Sequence, residues 1–375
     1  MSETRKALLG RHIYTPRIAL ILVIIVSCLA LVLSVSSCGT KTSATYSPPQ
    51  EGDFTKMFSK DSLATKEDVT YERLMFLVRA PVGEAKQVTF KNPGDTGART
   101  VTLTAVDDGM ETLAFTNPFY DSKALKPQKM IEARTLSGNV GYVKIIAEAD
   151  LPETMPGDHT PTVQEFKQVF DSFIKAKATG ILIDFRGNLG GDDSMVTEFL
   201  SSFYKDRTLY EYQNWYNAKS GKMEIWLGSD QTRQYGDPGK SLDIVPGTPR
   251  YDGPIVAIVN TGCISCGEGV AMGVQNLPNG EVVVFWGTNG SFGMSGDEAQ
   301  MPDGLTVSFP FGQSLDKDKV VQLDSRKGIG GVAPSKRIPM TLENALKWGS
   351  GQDIELEYAL KTLDAMGAAR TAPAP

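Results

Sequence analysis

Two short apolar runs, each followed by a glycine-containing turn and a helical pattern, constrain the fold of this chain more than any other sequence feature. Residues 181–185 (ILIDF) and 254–260 (PIVAIVN) suit buried strands, because each is an apolar stretch of strand length. The turn RGNLGG at 186–191 follows the first run, and the turn at 261–268 follows the second. This repeated order predicts an α/β core with a parallel sheet, which we place at residues 111–350.

Other segments of the predicted core fit the same alternation. Residues 141–146 and 282–286 are expected strands, and the Thr-Pro pair at 160–161 suits the start of a helix. One of the two aspartates at 192–193 is expected to cap the helix that follows the RGNLGG turn.

An aromatic and polar segment at 205–250 interrupts this alternation without a clear period. We interpret it as an insertion that covers one side of the core. Its aromatic residues either border a peptide groove or form a satellite core, and the sequence favours neither reading. They are Tyr210, Tyr212, Trp215, Tyr216 and Trp226.

Smaller elements are expected on either side of the core. Residues 61–110 begin with a short helical pattern and continue with strands at 87–91 and 99–105, whose apolar residues alternate as in a half-buried hairpin. Residues 351–375 hold one helical pattern near 354–363 and an Ala/Pro tail.

The amino-terminal segment is predicted to meet a membrane. Residues 18–35 carry no charge and span about 27 Å as a helix, close to the thickness of a hydrocarbon layer. The basic residues before them favour an extracytoplasmic location for the rest of the chain. The VSSC sequence that ends at Cys38 resembles a bacterial lipobox. Residues 1–38 are therefore either a lipoprotein signal or an uncleaved anchor, and 39–60 form a polar linker.

Charge and composition exclude several classes of function. The chain has 38 Lys and Arg against 44 Asp and Glu, a net charge of −6, so nucleic acid is not an expected partner. After cleavage at Cys38, His159 is the one remaining histidine, and with Cys263 and Cys266 it cannot make a usual zinc site without carboxylates. The glycine turn matches neither a P-loop nor a dinucleotide fingerprint. We therefore expect no metal and no other cofactor.

Three loops are expected at one edge of the sheet, because the carboxyl ends of parallel strands share that edge. They are 147–160 with His159, 186–191, and 261–268 with Ser265. A glycine-rich turn before a helix exposes backbone amides that bind a phosphate or the oxyanion of acyl transfer. Such a turn also occurs where only the backbone needs glycine, so it does not identify a function by itself.

Longer segments around these loops carry a more specific pattern. ILIDFRGNLGG at 181–191 resembles the LDLRGNxGG segment of the C-terminal processing (tail-specific) serine peptidase family, and 254–268 resembles that family's nucleophile segment. MPDG at 301–304 and GGVAP at 330–334 resemble its closing strands. The resemblance covers residues 135–345 and implies a ClpP/crotonase-like core with serine-type peptidase activity on polypeptides.

The resemblance also implies roles for single residues. Ser265 lies at the family's nucleophile position, and Glu268 lies at the acidic position after it. Cys266 lies where the family has an oxyanion-hole amide, and Gly190 and Gly191 lie in the region of the second oxyanion donor. The implied chemistry is attack of Ser265 on a peptide carbonyl and hydrolysis of the acyl-enzyme.

Two positions depart from the family pattern. The common branch activates its serine with a lysine in a TFGK turn, whereas this chain has SFGM at 291–294, and Met294 cannot accept a proton. Upstream, residues 74–106 resemble only the trailing half of a PDZ module. A catalytically inactive relative that binds extended peptides is therefore the alternative to an active peptidase.

The sequence does not identify which residue would replace the lysine as the base. The candidates are His159, whose loop belongs to the predicted active edge, a carboxylate such as Glu268, and a lysine elsewhere in the fold. A lone loop histidine is more often simply solvated. Cys263 and Cys266 either form a disulfide outside the cytoplasm or are small apolar residues of the loop.

Overall fold

The computed structural model describes residues 79–109, 129–150, 160–225, 241–285, 294–323 and 331–371, apart from positions 93, 302, 303 and 340. The predicted membrane segment, the linker and the helical pattern that follows them lie outside these ranges. Within the described ranges, no helix is long and apolar enough to cross a membrane. The described residues fall into two compact units, one with 79–109 and 339–354 and the other with the remainder.

The helices, in chain order, are α1 (Thr160–Lys175), α2 (Asp193–Leu200), α3 (Cys266–Gln275), α4 (Leu342–Gly349) and α5 (Ile354–Thr371). The strands are β1 (Ala85–Phe90), β2 (Arg99–Thr104), β3 (Ile131–Leu136), β4 (Val140–Ile145), β5 (Gly180–Asp184), β6 (Thr208–Asn217), β7 (Lys222–Ile225), β8 (Leu242–Ile244), β9 (Ile255–Ile258), β10 (Gly280–Val284), β11 (Met294–Gln300), β12 (Thr306–Leu315), β13 (Val321–Gln322) and β14 (Lys336–Arg337).

The smaller unit contains the β-hairpin that the sequence predicts. Strands β1 and β2 pair antiparallel, with Phe90 opposite Arg99. The Arg99 guanidinium lies 5.1 Å from the centre of the Phe90 ring, and the hydroxyl oxygens of Thr89 and Thr100 are 2.8 Å apart. Cross-strand pairs of this kind stabilise a hairpin and fix its register. The predicted pairing is confirmed, and each strand begins and ends within two residues of its expected bounds. The predicted half-buried face is not seen in the described residues, because every residue of β2 is exposed.

The larger unit is built on a mixed sheet with the strand order β14-β10-β9-β5-β4-β3. Strands β4, β5, β9, β10 and β14 run parallel, and β3 pairs antiparallel with β4. Every residue of β5 is buried, including Asp184 at its end, as the apolar run before that aspartate predicts for an internal strand. Asp184 at the end of β5 pairs with Ile258 at the end of β9. The chain therefore leaves both strands at the same edge, and the predicted parallel α/β core is confirmed.

An aromatic cluster packs α1 against α2 and the sheet. The Phe166 ring lies 4.3 Å from that of Phe170 and 4.4 Å from that of Phe199. A Cβ on Gly141 of β4 would lie 2.7 Å from the Phe173 ring, so α1 packs closely on this strand. Each fully buried phenylalanine contributes about 1.5–3 kcal/mol through removal from water. Phe166, Phe170 and Phe173 are spaced four and three residues apart on one face of α1 and form this part of the core.

The segment at 205–250, which shows no clear period in the sequence, contains strands β6, β7 and β8 in its described part. Strand β6 pairs with β7, β8 and β12 in a second sheet. Tyr210 and Trp215 of β6 are 5% and 8% exposed, so these two aromatic residues pack in the interior, whereas Tyr216 exposes half of its side chain. Two polar residues of β6, Glu211 and Gln213, are also buried. Polar residues at interior positions hide the strand period in the sequence.

Helix α5 confirms the predicted carboxyl-terminal helix and extends beyond it. Glu355 in its first turn joins the ends of two strands: Oε2 accepts from Nη1 of Arg186 at 3.1 Å, and Oε1 accepts from the backbone N of Phe285 at 3.3 Å. Arg186 also pairs with Asp184, with 2.6 Å between Nη2 and Oδ2. This network holds the carboxyl ends of β5 and β10 in place.

Candidate active site

Two loops meet at the edge where β5 and β9 end. We call residues 186–191 the glycine loop and residues 259–265 the serine loop. The backbone N of Ile264 donates to the carbonyl oxygen of Asn188 at 3.0 Å, and the backbone N of Gly187 donates to Oδ1 of Asn260 at 3.0 Å. These hydrogen bonds place the two loops in direct contact.

Ser265 occupies the sharp turn between the serine loop and α3. Its φ of 54° and ψ of −124° lie outside the regions that residues with a side chain favour. Glu268, in the first turn of α3, supports this backbone, because its Oε2 accepts a hydrogen bond from the Ser265 backbone N at 3.2 Å. A strained turn between a strand and a helix is a geometry that exposes a nucleophilic serine.

Gly190 packs directly against Ser265. Its φ of 82° favours glycine, and a Cβ at this position would lie 2.6 Å from the Ser265 Cβ and 3.1 Å from the Cys266 backbone N. The Gly190 backbone N donates to Oδ1 of Asn188 at 2.8 Å. The amide predicted to bind an oxyanion is therefore engaged within the loop in this structure. What Gly190 provides here is the close approach of the two loops.

The thiol of Cys266 joins the start of α3 to the glycine loop. Its Sγ donates to the Gly191 carbonyl oxygen at 3.1 Å and lies 3.2 Å from Oδ1 of Asp193. Burial, together with the nearby Asp193 and Glu148, raises the pKa of this thiol well above its usual value. Both Cys263 and Cys266 are buried free thiols. This arrangement favours the interpretation of Cys263 and Cys266 as small loop residues over a disulfide between them.

The two aspartates after the glycine loop have different roles. Asp192 is the N-cap of α2, and its side chain accepts from the Ser194 backbone N. Asp193 accepts from the hydroxyl of Tyr210 at 3.3 Å, and burial raises its pKa to about 6. Burial and the nearby Asp193 also raise the pKa of Glu211 well above its usual value. The local sequence identifies Asp193 only as a possible cap, because its burial depends on β6.

The sequence pattern did not single out two further buried residues, Asn188 within the glycine loop and Glu148 beside it. Asn188 is 0% exposed and Glu148 is 1% exposed. The backbone N of Glu148 donates to the Gly190 carbonyl oxygen at 3.1 Å, so the beginning of the predicted 147–160 loop does reach this edge. Asn188 is part of the RGN sequence, but nothing local to that motif reveals which groups its side chain binds.

The side chains of several predicted site residues are not among those that the structure describes. His159, Cys38 and Trp226 lie outside the described residues. The backbone of Met294 is described as the first residue of β11. In the described ranges, no group of three or more His, Cys, Asp or Glu residues is arranged to hold a metal ion.

Comparisons with known proteins agree with this architecture. The family model for peptidase family S41 matches residues 139–333. A nisin-resistance protein from Lactococcus lactis subsp. lactis is 26% identical over 187 residues, which are 50% of this chain and 52% of that protein. The chain thus spans about half the length of this curated relative.

Solved structures show the same fold at low sequence identity. Mature CPAF aligns with a TM-score of 0.55 and 15% identity over 85% of this chain and 76% of that chain. Mature CPAF complexed with lactacystin aligns with a TM-score of 0.52 and 15% identity over 83% and 74%.

The family match covers 195 of the 375 residues. It includes both loops and Ser265, and it confirms the resemblance carried by residues 181–191 and 254–268. The chain therefore belongs to peptidase family S41, the C-terminal processing protease family.

Proposed function

We propose that this chain is an extracytoplasmic serine peptidase that hydrolyses polypeptides with Ser265 as its nucleophile. The observation that carries the proposal is the strained backbone of Ser265 at the start of α3, in contact with Gly190. This backbone presents the serine at the edge of the sheet where both loops meet. Membership of family S41 supports serine-type proteolysis.

In the proposed reaction, Oγ of Ser265 attacks the carbonyl carbon of a peptide bond, and its proton passes to a base. A C–O bond forms, and the carbonyl electron pair moves to the oxygen. We assign stabilisation of this oxyanion to the backbone amides of Gly191 and Cys266, because Cys266 opens α3 and its thiol binds the Gly191 carbonyl. Collapse expels the amine with the proton, and water then hydrolyses the acyl-enzyme.

We assign different roles to the two candidate groups for proton transfer. Glu268 is 1% exposed and holds the Ser265 backbone N, which suits it to fixing the turn. His159 belongs to the loop whose first residues, including Glu148, lie against Gly190. We propose His159 as the base, since an imidazole with an ordinary pKa near 6.5 accepts a proton at neutral pH.

The location and the substrate class are part of the same proposal. The uncharged stretch at 18–35 and the VSSC sequence support a chain held at the outer face of a membrane, through lipid on Cys38 or through a single span. One relative is named a nisin-resistance protein, so nisin is a suitable test substrate beside an unfolded polypeptide.

A second candidate function is binding of extended peptides without cleavage. Met294 favours it, because this residue stands where the resemblance places the activating lysine. The two loops would then hold a peptide while Ser265 stays unreactive.

The test is incubation of the full-length chain, purified in detergent, with an unfolded protein and with nisin. Mass spectrometry of the products is expected to show cleavage by the parent and none by Ser265→Ala. Ser172→Ala, an exposed serine on α1, is the matched control and should cleave like the parent. Retention of an extended peptide without cleavage would support the binding function instead.

A further inference from the structure

We propose that Glu148 and Asn188 are positioning residues that set the contact between the glycine loop and the serine loop. The inference rests on the proposed function, in which both loops supply groups that contact the reacting peptide bond. Neither residue is assigned a contact with substrate, and both act through the backbone of other residues.

Asn188 connects three segments from a fully buried position. Its Nδ2 donates to the Ile145 carbonyl oxygen at the end of β4 and to Oε1 of Glu148, both at 3.0 Å. Its Oδ1 accepts from the Gly190 backbone N at 2.8 Å, and its own carbonyl oxygen accepts from the Ile264 backbone N at 3.0 Å. A rotation of this side chain would release Gly190, Ile145 and Glu148 together, and the backbone contact to the serine loop depends on the loop conformation that these side-chain bonds hold.

Glu148 holds the glycine loop through its main chain as well as its side chain. Its N donates to the Gly190 carbonyl oxygen at 3.1 Å, and its carbonyl oxygen accepts from the Asp192 N at 2.9 Å. The carboxyl group fixes Asn188 through Oε1. Its Oε2 is buried and has no hydrogen-bond partner in the part of the chain that the structure describes.

The surroundings of Glu148 favour its neutral form. The titratable groups that face it are Asp193 of α2 and the thiols of Cys263 and Cys266, and each of these becomes negative when it ionises. Burial raises the pKa of Glu148 to about 8, despite the opposing hydrogen bond from Asn188. Above that pH the site would hold a buried anion, which is favourable only if water enters or the glycine loop moves.

The first test is the rate at which a fluorophosphonate labels Ser265 in the full-length chain from about pH 6 to about pH 10. Glu148→Gln keeps an oxygen that accepts from Asn188 but cannot ionise. We expect the parent rate to fall by about tenfold per pH unit above the pKa of Glu148, and the Gln variant to lose this decline. Glu148→Ala is expected to label about ten- to a hundredfold more slowly at neutral pH. Glu165→Gln, an exposed carboxylate on α1, is the matched control and should follow the parent.

Amide hydrogen exchange is the second test, and it does not require Ser265 to react. We expect Glu148→Ala to lose protection at the amides of Gly190 and Ile264, while Glu148→Gln retains it. Identical pH profiles for the parent and Glu148→Gln, or unchanged protection in Glu148→Ala, would overturn the positioning role. A parent that does not label at any pH would refute the proposed function, and the exchange measurement would still decide the role of Glu148.

Discussion

The contact between Gly190 and Ser265 shows how much a single side chain matters in this site. Any residue other than glycine at position 190 would destabilise the fold in two ways. Its backbone would be strained at a φ of 82°, and its Cβ would overlap Ser265. Gly221 has a similar φ of 68°, but a Cβ there would meet nothing within 4 Å. Comparing the two glycines therefore separates backbone strain from overlap.

We predict that Gly221→Ala lowers the free energy of unfolding by about 1–2 kcal/mol, through backbone strain alone. Gly190→Ala should lower it by a further ~1–3 kcal/mol, because the new methyl group pushes the glycine loop away from Ser265. Urea denaturation followed by circular dichroism measures both values. Equal losses for the two variants would contradict the packing described for Gly190.

Cys266 is predicted to be unreactive in the folded protein. Its side chain is 3% exposed, and burial with nearby carboxylates raises its pKa well above the usual value. The thiol therefore stays protonated and shielded near neutral pH. Alkylation by iodoacetamide, located by mass spectrometry, should occur at Cys266 only after denaturation. Rapid modification of the native protein would show that the thiol is accessible and that its contacts with Gly191 and Asp193 are not maintained.

Among the secondary-structure elements, the sequence best predicts those strands and helices whose apolar residues form a pattern within a short segment. Strand β9 is apolar throughout and β5 is apolar up to its last residue, Asp184, and Phe166, Phe170 and Phe199 mark the buried faces of α1 and α2. Strand β6 was missed because its interior position Glu211 is polar, and one of the two groups that satisfy its carboxylate, the hydroxyl of Ser314, lies on β12. A partner so distant in the chain leaves no local signal.

The same distinction applies to the candidate site. Ser265 and Gly190 follow from motifs that are contiguous in the sequence, together with a family resemblance. The roles of Glu148, Asn188 and Asp193 were not predicted, because each depends on burial by segments far away in the chain. Residue type alone does not distinguish a buried carboxyl group from a solvated one.

The link between α5 and the sheet gives a prediction at the same scale. Glu355→Ala should lower the free energy of unfolding by about 1–3 kcal/mol, because it removes the partner of Arg186 and of the Phe285 amide. Asp364→Ala, an exposed change on the same helix α5, is the control and should cost less than ~0.5 kcal/mol. Urea denaturation of both variants measures the difference. Equal stability would show that the Glu355 network does not hold the strand ends.

At the scale of the whole molecule, the proposed extracytoplasmic location depends on the amino-terminal segment. We predict that Cys38 is the mature amino terminus and carries lipid, since the VSSC sequence follows an uncharged stretch of lipoprotein-signal character. Mass analysis of the protein extracted from membranes should detect a diacylglyceryl group on Cys38. Cys38→Ala should abolish that modification. A mature chain that still begins at Met1 would establish the uncleaved anchor instead.

We propose that this fold activates Ser265 although Met294 stands where the family resemblance places a lysine. The most direct measurement is fluorophosphonate labelling of the full-length chain across pH, with the modified residue identified by mass spectrometry. We expect labelling at Ser265 whose rate rises through about pH 6.5, because the proposed base is a histidine. This labelling should be lost in Ser265→Ala. A folded parent that shows no label on Ser265 at any pH would contradict it.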